Sequence, residues 1–251
     1  MELNFKNDLE WLNTRTILLT ITGSVAYGTA VESSDRDYRG VCIPPEEYIL
    51  GLKSFNEYNT TGGKTFKNTS DDIDIAITHI NKFVIDAMSG VPNNLEILFT
   101  NPEHIILKNE FGDELISHRY DFLTKKLKHK FGGYAHSQLE KIIVKKSNGT
   151  GRQDLIDKFG YDTKFAMHSV RLLTSGIQIL KTGDFSTFRS NREELLDIRN
   201  GKFTLEQIIM IINDLDKEIN ELYDTSKIPD SPDYKKINKW LINLNRRALE
   251  I

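Results

Sequence analysis

The chain has 251 residues, 27% of them charged, and a formal net charge of −3. That length supports one large domain or two modest ones with a sizeable core, and the slight acidity argues against broad, nonspecific coating of nucleic acid while leaving room for local basic grooves. The only cysteine, Cys42, excludes an internal disulfide, and no Cys/His spacing points to structural zinc.

Met1-Glu2-Leu3-Asn4 carries neither a basic n-region nor an apolar h-region, and no apolar run is long enough to span a bilayer. A cytoplasmic protein without a membrane partner is the expectation. Residues 6–13 read as a short leading helix with Leu9, Trp11 and Leu12. Thr16–Ile21 is β-branched and apolar, as a buried strand should be, and Gly23 ends it. A second strand is expected over Asp37–Ile43, stopped by Pro44-Pro45 because proline cannot continue a ladder. Residues 53–70, rich in Gly, Asn and Thr, read as a mobile loop or a ragged hairpin. Asp72–His79 alternates, with Ile73, Ile75 and Ile77 on one side, and fits a half-buried strand. Helical patterns follow at 80–89 and 93–99.

Beyond about residue 104 the pattern turns almost wholly helical, with Gly132-Gly133 expected to break one helix from the next. Ala166, Val170, Leu173, Ile177 and Leu180 recur at helical spacing. Thr204 and Gln207 form a capping box ahead of another apolar stripe, and Ser231-Pro232 reads as a helix start before Trp240. The expected class is α+β: a small mixed half over residues 1–103 and an all-helical half over 104–251, divided near Pro102.

The chemistry concentrates in Gly23-Ser24-Val25-Ala26-Tyr27-Gly28 and Ser34-Asp35-Arg36-Asp37-Tyr38-Arg39-Gly40-Val41. An apolar strand runs straight into Gly-Ser. Glycine permits a tight turn and close backbone approach, and free N–H groups at a helix start suit a phosphate. The Ser24 hydroxyl adds a donor. Asp35 and Asp37 share a strand face, and adjacent carboxylates repel unless a cation or a shared proton relieves them. Mg²⁺ favours carboxylate and phosphate oxygens, so a phosphate cradle beside a carboxylate pair reads as a site for a magnesium–NTP complex. Alone, Gly-Ser is usually a structural turn and Asp-x-Asp usually a solvated strand edge. Their order and spacing carry the inference. Asp72 and Asp74 begin the next strand and offer a third carboxylate.

Gly-Ser, a short spacer, Asp-x-Asp and a later carboxylate resemble the signature of the DNA polymerase β superfamily of nucleotidyltransferases. The wider text resembles the RNA-repair-associated (RlaP-type) group. That likeness rests on Tyr27-Gly28, Ser34 through Val41, Pro44-Pro45, Lys82-Phe83 and Pro92-Asn93 followed by Leu95-Glu96-Ile97-Leu98-Phe99. Gly133-Tyr134 with Gln138, Lys164 with His168 and Arg171-Leu172-Leu173, and Ile198-Arg199-Asn200-Gly201 extend it through the helical half. Val91 stands where the group more often has Asn, away from the carboxylates.

The resemblance implies a polymerase β-like nucleotidyltransferase domain with a small mixed sheet, and transfer of NMP from an NTP to an acceptor with release of pyrophosphate. It also implies two Mg²⁺ ions, a role open to Mn²⁺ as well, bridged by Asp35 and Asp37. Asp74 is the expected third ligand, because it sits deeper in its strand than Asp72 and falls on the group's acidic position counted back from Lys82-Phe83. Gly23 and Ser24 would hold the phosphates. Lys164, His168, Arg171 and Ser175 fall on one helical stripe, opposite the apolar one. That stripe reads either as a solvated polar face or as a triphosphate grip. Arg39 reads as a partner of Asp35 or Asp37 when no metal is bound. Tyr134 reads as a core or rim aromatic, or as a stacking surface. The loop around Lys145, Lys146 and Arg152 reads as surface or as a nucleic-acid contact.

The expected acceptor is an RNA end. NMP transfer onto a protein hydroxyl, as in minimal nucleotidyltransferases of toxin–antitoxin type, shares the same site chemistry. A non-catalytic nucleotide-sensing module is disfavoured, because a pure binder need not keep Asp35 and Asp37. The remaining reading is a purely structural carboxylate network.

Overall fold

The computed structural model describes residue 5 and residues 7–32, 34–60, 73–143 and 153–250. Asp72 and the basic loop with Lys145, Lys146 and Arg152 lie outside the described residues. The elements in chain order are α1 (Leu12–Arg15), β1 (Thr16–Thr22), α2 (Gly23–Tyr27), β2 (Arg36–Cys42), α3 (Glu46–Ile49), β3 (Glu57–Asn59), β4 (Ile73–His79), α4 (Ile80–Met88) and α5 (Pro92–Leu98). They continue with β5 (Ile105–Lys108), α6 (Glu110–Ser117), α7 (Leu127–Ile143), α8 (Gln153–Phe159), α9 (Thr163–Thr182), α10 (Arg192–Arg199), α11 (Leu205–Thr225) and α12 (Tyr234–Leu249).

The strands form one five-stranded mixed sheet in the order β3-β4-β2-β1-β5. β2 and β4 run parallel, and the other pairs are antiparallel. Alternation gives the sheet two different faces. Leu19, Tyr38, Ile75 and Ile77 face a core closed by Phe5 and Leu12 from the N-terminal segment. On the opposite face Leu18 and Val41 join the large core built by the helices. Along that second face the registers Leu18↔Val41, Thr20↔Arg39 and Thr22↔Asp37 run from apolar to polar. The site lies at the polar end, where β1 finishes and β2 begins.

Several elements differ from the sequence expectation. The leading helix is a 3-10 turn (Asn7–Leu9) followed by the short α1. The sheet is not complete at residue 103: β5 pairs with β1 through Leu18↔Lys108 and Leu19↔Leu107. Gly132-Gly133 does not break α7. Phe131 and Ala135 are 0% and 1% exposed in the core shared with α9, and burial of that face outweighs the weak helix propensity of glycine. α12 starts two residues beyond Ser231-Pro232, where the Asp233 side chain accepts from the Lys236 amide. The Thr204–Gln207 capping box forms as expected. Among the described residues no helix is long and apolar enough to cross a membrane.

Gly133 is exposed, and a Cβ built on it meets nothing within 4 Å. Gly133→Ala is therefore expected to stabilise the protein by about 0.5–1 kcal/mol. Thermal melting checks this: the midpoint should rise by about 1–4 °C, and a fall would show that α7 is not a continuous helix through the glycine pair.

Candidate active site

β1 delivers Thr22 at its end, and the chain turns at once into α2 through Gly23 at φ +66°. Two constraints require glycine here. The backbone is left-handed, and a Cβ would stand 2.2 Å from Asp37 Oδ2. The Asp37 carboxylate thus lies directly against the Gly23 backbone. Register fixes the neighbours: Asp37 is the Cα partner of Thr22 on β1 and of Asp74 on β4. β1, the Gly23 turn and β2 follow one another as the sequence reading has them, but Asp35, read as sharing a strand face with Asp37, lies one residue ahead of β2, which begins at Arg36.

A cavity of about 490 Å³ opens above this end of the sheet. Gly23, Ser24, Asp35 and Asp37 line its sheet side, while Lys164, His168 and Arg171 line it from α9. The residues singled out in the first half and those singled out in the second are brought together in one concavity. Asp74 is not among its lining residues; it flanks Asp37 on the neighbouring strand. Among the described residues no group of three His, Cys, Asp or Glu side chains is gathered closely enough to hold an ion by itself.

The carboxylates nevertheless press on one another. Burial raises the Asp37 carboxyl above its ordinary value, the Asp74 charge raises it further, Arg39 pulls it back and Asp35 adds to the rise. Arg39 thus moderates the pair electrostatically. Among the described residues its guanidinium makes no hydrogen bond or ion pair.

Arg171 differs most from the stripe expected in the sequence. It is 1% exposed, and its Nη1 donates to Glu96 Oε1, the carboxylate being 3% exposed. Its guanidinium also lies 3.8 Å from the centre of the Tyr27 ring. Tyr27 Oη donates to the other Glu96 oxygen at 2.7 Å. Burial disfavours the Arg171 charge, but Glu96 and Tyr27 together outweigh it and leave the guanidinium's pKa raised. Burial is also the leading cause that raises the Tyr27 phenol. Arg171 Nη2 donates to His168 Nδ1 at 3.2 Å, so a neutral His168 carries its proton on Nε2. Ser175, on the same stripe, is fully buried and donates to the Arg171 carbonyl. Lys164, one helical turn before His168, is exposed at the cavity edge.

Glu96 carried no functional reading in the sequence. Its signal was a carboxylate set in the apolar run Leu95–Phe99, since a charge in a core needs a partner. The structure also recruits two segments near the end of the helical half. The Arg189 amide donates to the Tyr27 carbonyl at 3.1 Å, and Arg199 Nη1 donates to the Thr29 carbonyl at 3.3 Å. Arg189 itself is buried, which lowers its pKa to about 10, with Arg171 nearby contributing.

Asp37 gives a pH-dependent test. A carboxyl whose folded pKa is raised costs stability while ionised and nothing once it is protonated in both states. In chelator, Asp37→Asn should therefore melt above wild type at pH 8. That gap should close as pH falls through the raised Asp37 pKa toward the ordinary carboxylate range. An Asn variant less stable than wild type at pH 8 would contradict the crowding described here.

Comparison with known proteins places the fold and site in context. A crystal structure of a nucleotidyltransferase-like protein from Exiguobacterium sibiricum 255-15 aligns at 11% identity over 84% of this chain and 69% of that one. The TM-score of that alignment is 0.30. A 38.9 kDa protein from the nrdC-mobD intergenic region of Enterobacteria phage T4, named only as uncharacterized, is 29% identical over 146 residues. That match takes in 57% of this chain and 43% of the phage protein, so the chain spans less than half of that relative's length. The sequence profile of the RNA repair pathway DNA polymerase beta family (RlaP) matches residues 4–243, both the sheet and the helical half. The protein belongs to the RNA repair pathway DNA polymerase beta family.

Proposed function

We propose that the protein is a metal-dependent nucleotidyltransferase that moves NMP from an NTP to a hydroxyl at an RNA end and releases pyrophosphate. One observation carries this reading: the Gly23-Ser24 turn, Asp35, Asp37 and the Lys164–His168 face of α9 line a single cavity. The family's polymerase β lineage supports nucleotidyl transfer, and its RNA-repair description supports an RNA acceptor.

The donor set fits Mg²⁺. Asp35 and Asp37 are hard oxygen ligands already crowded in the metal-free protein, and Mg²⁺ is commonly held by one or two carboxylates together with substrate phosphates and water. Asp35 and Asp37 would hold it, with Asp74 as third ligand from the neighbouring strand. Bound Mg²⁺, as two ions and with Mn²⁺ able to substitute, would neutralise triphosphate charge and acidify the acceptor hydroxyl.

The chain's own groups supply the rest. Gly23 lets the backbone approach a phosphate, and the Ser24 hydroxyl, which makes no hydrogen bond among the described residues, donates to a phosphate oxygen. Lys164 adds positive charge from the opposite wall, and His168 donates through Nε2. Arg171 fixes the orientation of His168 and acts through it. Asp74 takes the acceptor proton as the acceptor oxygen bonds to the α-phosphorus and the bond from phosphorus to the pyrophosphate oxygen breaks. Catalysis of this kind is mostly positioning and charge neutralisation.

The assay is incorporation of radiolabelled NTP with Mg²⁺, offering bulk tRNA, oligoribonucleotides and the protein itself as acceptors. Asp35→Ala, Asp37→Ala and Asp74→Asn should each remove nearly all turnover while the protein stays folded. Ser24→Ala loses one hydrogen bond to a charged group, about 1.5–3 kcal/mol or roughly 10–150-fold. Normal transfer by both Asp35→Ala and Asp37→Ala would overturn the reading, and full activity in Asp74→Asn would remove that residue from it.

A further inference from the structure

A second cavity of about 290 Å³ adjoins the first, and Arg39 and Asn93 line both. It lies toward β4 and β3, where Thr78 and its register partner Glu57 form part of the wall. Tyr134 of α7 closes another side. We propose that this cavity receives the terminal nucleoside of a single-stranded nucleic-acid acceptor, with its base on the Tyr134 ring and its phosphate on Arg39. The proposal rests on the nucleotidyl-transfer reading and gives its acceptor a binding site.

Direction is the first argument. In phosphoryl transfer the attacking and leaving oxygens stand roughly in line across phosphorus. The Gly23-Ser24 turn follows β1, on one side of Asp37, and Asp74 on β4 is on the other. A triphosphate held by that turn leaves the acceptor to approach from the β4 side, where the second cavity opens.

The lining supplies the second argument. Tyr134 is 47% exposed, so its ring is available for stacking, which tolerates any base. Asn93 is exposed, and among the described residues its side-chain amide makes no hydrogen bond. Asn94 donates its Nδ2 to the Phe83 carbonyl at 3.2 Å, which keeps Oδ1 as an acceptor. Such amides match the donor and acceptor edges of a base. Lys82 is paired with Asp86 at 2.5 Å, so its charge is already met. Arg39 is the cation at the junction, and a planar guanidinium there suits a phosphodiester joining a base in one cavity to a hydroxyl at the other.

Size agrees. A cavity of about 290 Å³ falls at the lower edge of the roughly 300–1,000 Å³ typical of small-ligand sites, which suits one nucleoside.

The test measures two things on the full chain: steady-state transfer to short oligoribonucleotides, and fluorescence anisotropy of a labelled oligoribonucleotide in the absence of NTP. Tyr134→Ala should raise the acceptor KM and the binding Kd on the order of tenfold, with the NTP KM little moved. Tyr134→Phe should restore most of that loss, because the ring does the stacking. Arg39→Met should weaken oligoribonucleotide binding and flatten its salt dependence. If Tyr134→Ala raises the NTP KM and spares the acceptor, the cavity holds the incoming base and the proposal is wrong. Transfer confined to protein hydroxyls, or equal oligoribonucleotide affinity in wild type and Tyr134→Ala, would also overturn it. Should no acceptor be labelled at all, nucleotidyl transfer itself fails, and the anisotropy comparison still decides whether the cavity binds nucleic acid.

Discussion

A guanidinium and a carboxylate buried together hold the two halves of this protein in register. Arg171 and Glu96 are 1% and 3% exposed, and neither charge is tolerable there without the other. Glu96 comes from α5, beside the sheet, and Arg171 from α9, the central helix of the second half. Tyr27 makes the pair a triad, donating to Glu96 and lying under the guanidinium. Tyr27 ends α2, so the network also fixes the turn that begins at Gly23. The Arg189 amide on the Tyr27 carbonyl and Arg199 on the Thr29 carbonyl fasten the same turn from further along the chain. The sheet half contributes the carboxylates, and the helical half shapes the backbone beside them.

That arrangement lets the site carry an unfavourable feature. Asp37 sits against the Gly23 backbone, partly buried, with Asp74 and Asp35 both raising its proton affinity. Like charges are crowded there, and binding sites are where such local conflicts are expected. Across the cavity Lys164, His168 and Arg199 bring positive or donor groups. The result is a polarised cleft, with Asp35 and Asp37 on the strand side and Lys164 and Arg199 on the helical side.

Much of this was legible in the sequence where the determinants are local. β1, the glycine turn and β2 follow from a β-branched run, Gly23 and period-two alternation within about 25 residues, but parity could not tell that the strand begins at Arg36, so Asp35 falls before it and not on the face of Asp37. Long-range partnerships were not legible. Glu96 lies in an apolar run, and its partner Arg171 is 75 positions away. The sequence puts Arg171 opposite an apolar stripe, on a face that reads either as solvated or as a triphosphate grip. α9 packs against α7, α10 and α11, so the polar stripe is covered from Arg171 onward, and Arg171 and Ser175 are buried with Ala166 and Val170 while Lys164 stays exposed. β5 escaped notice because four residues show too little alternation to declare a strand, and its existence depends on the free edge of β1. Helix α7 runs through Gly132-Gly133 because packing of Phe131 and Ala135 overrides local propensity.

The buried pair builds the site, and Glu96→Gln is the substitution that separates this from a pair that only packs. The variant keeps shape and can still accept from Tyr27, but it leaves Arg171 buried without a counter-charge. Equilibrium unfolding, with amide hydrogen exchange over residues 23–29, reads both consequences in the same protein. A loss of about 3–5 kcal/mol is expected, together with faster exchange across the glycine turn and partial recovery of both when Arg171→Met is added. Unchanged stability and unchanged exchange in Glu96→Gln would contradict it.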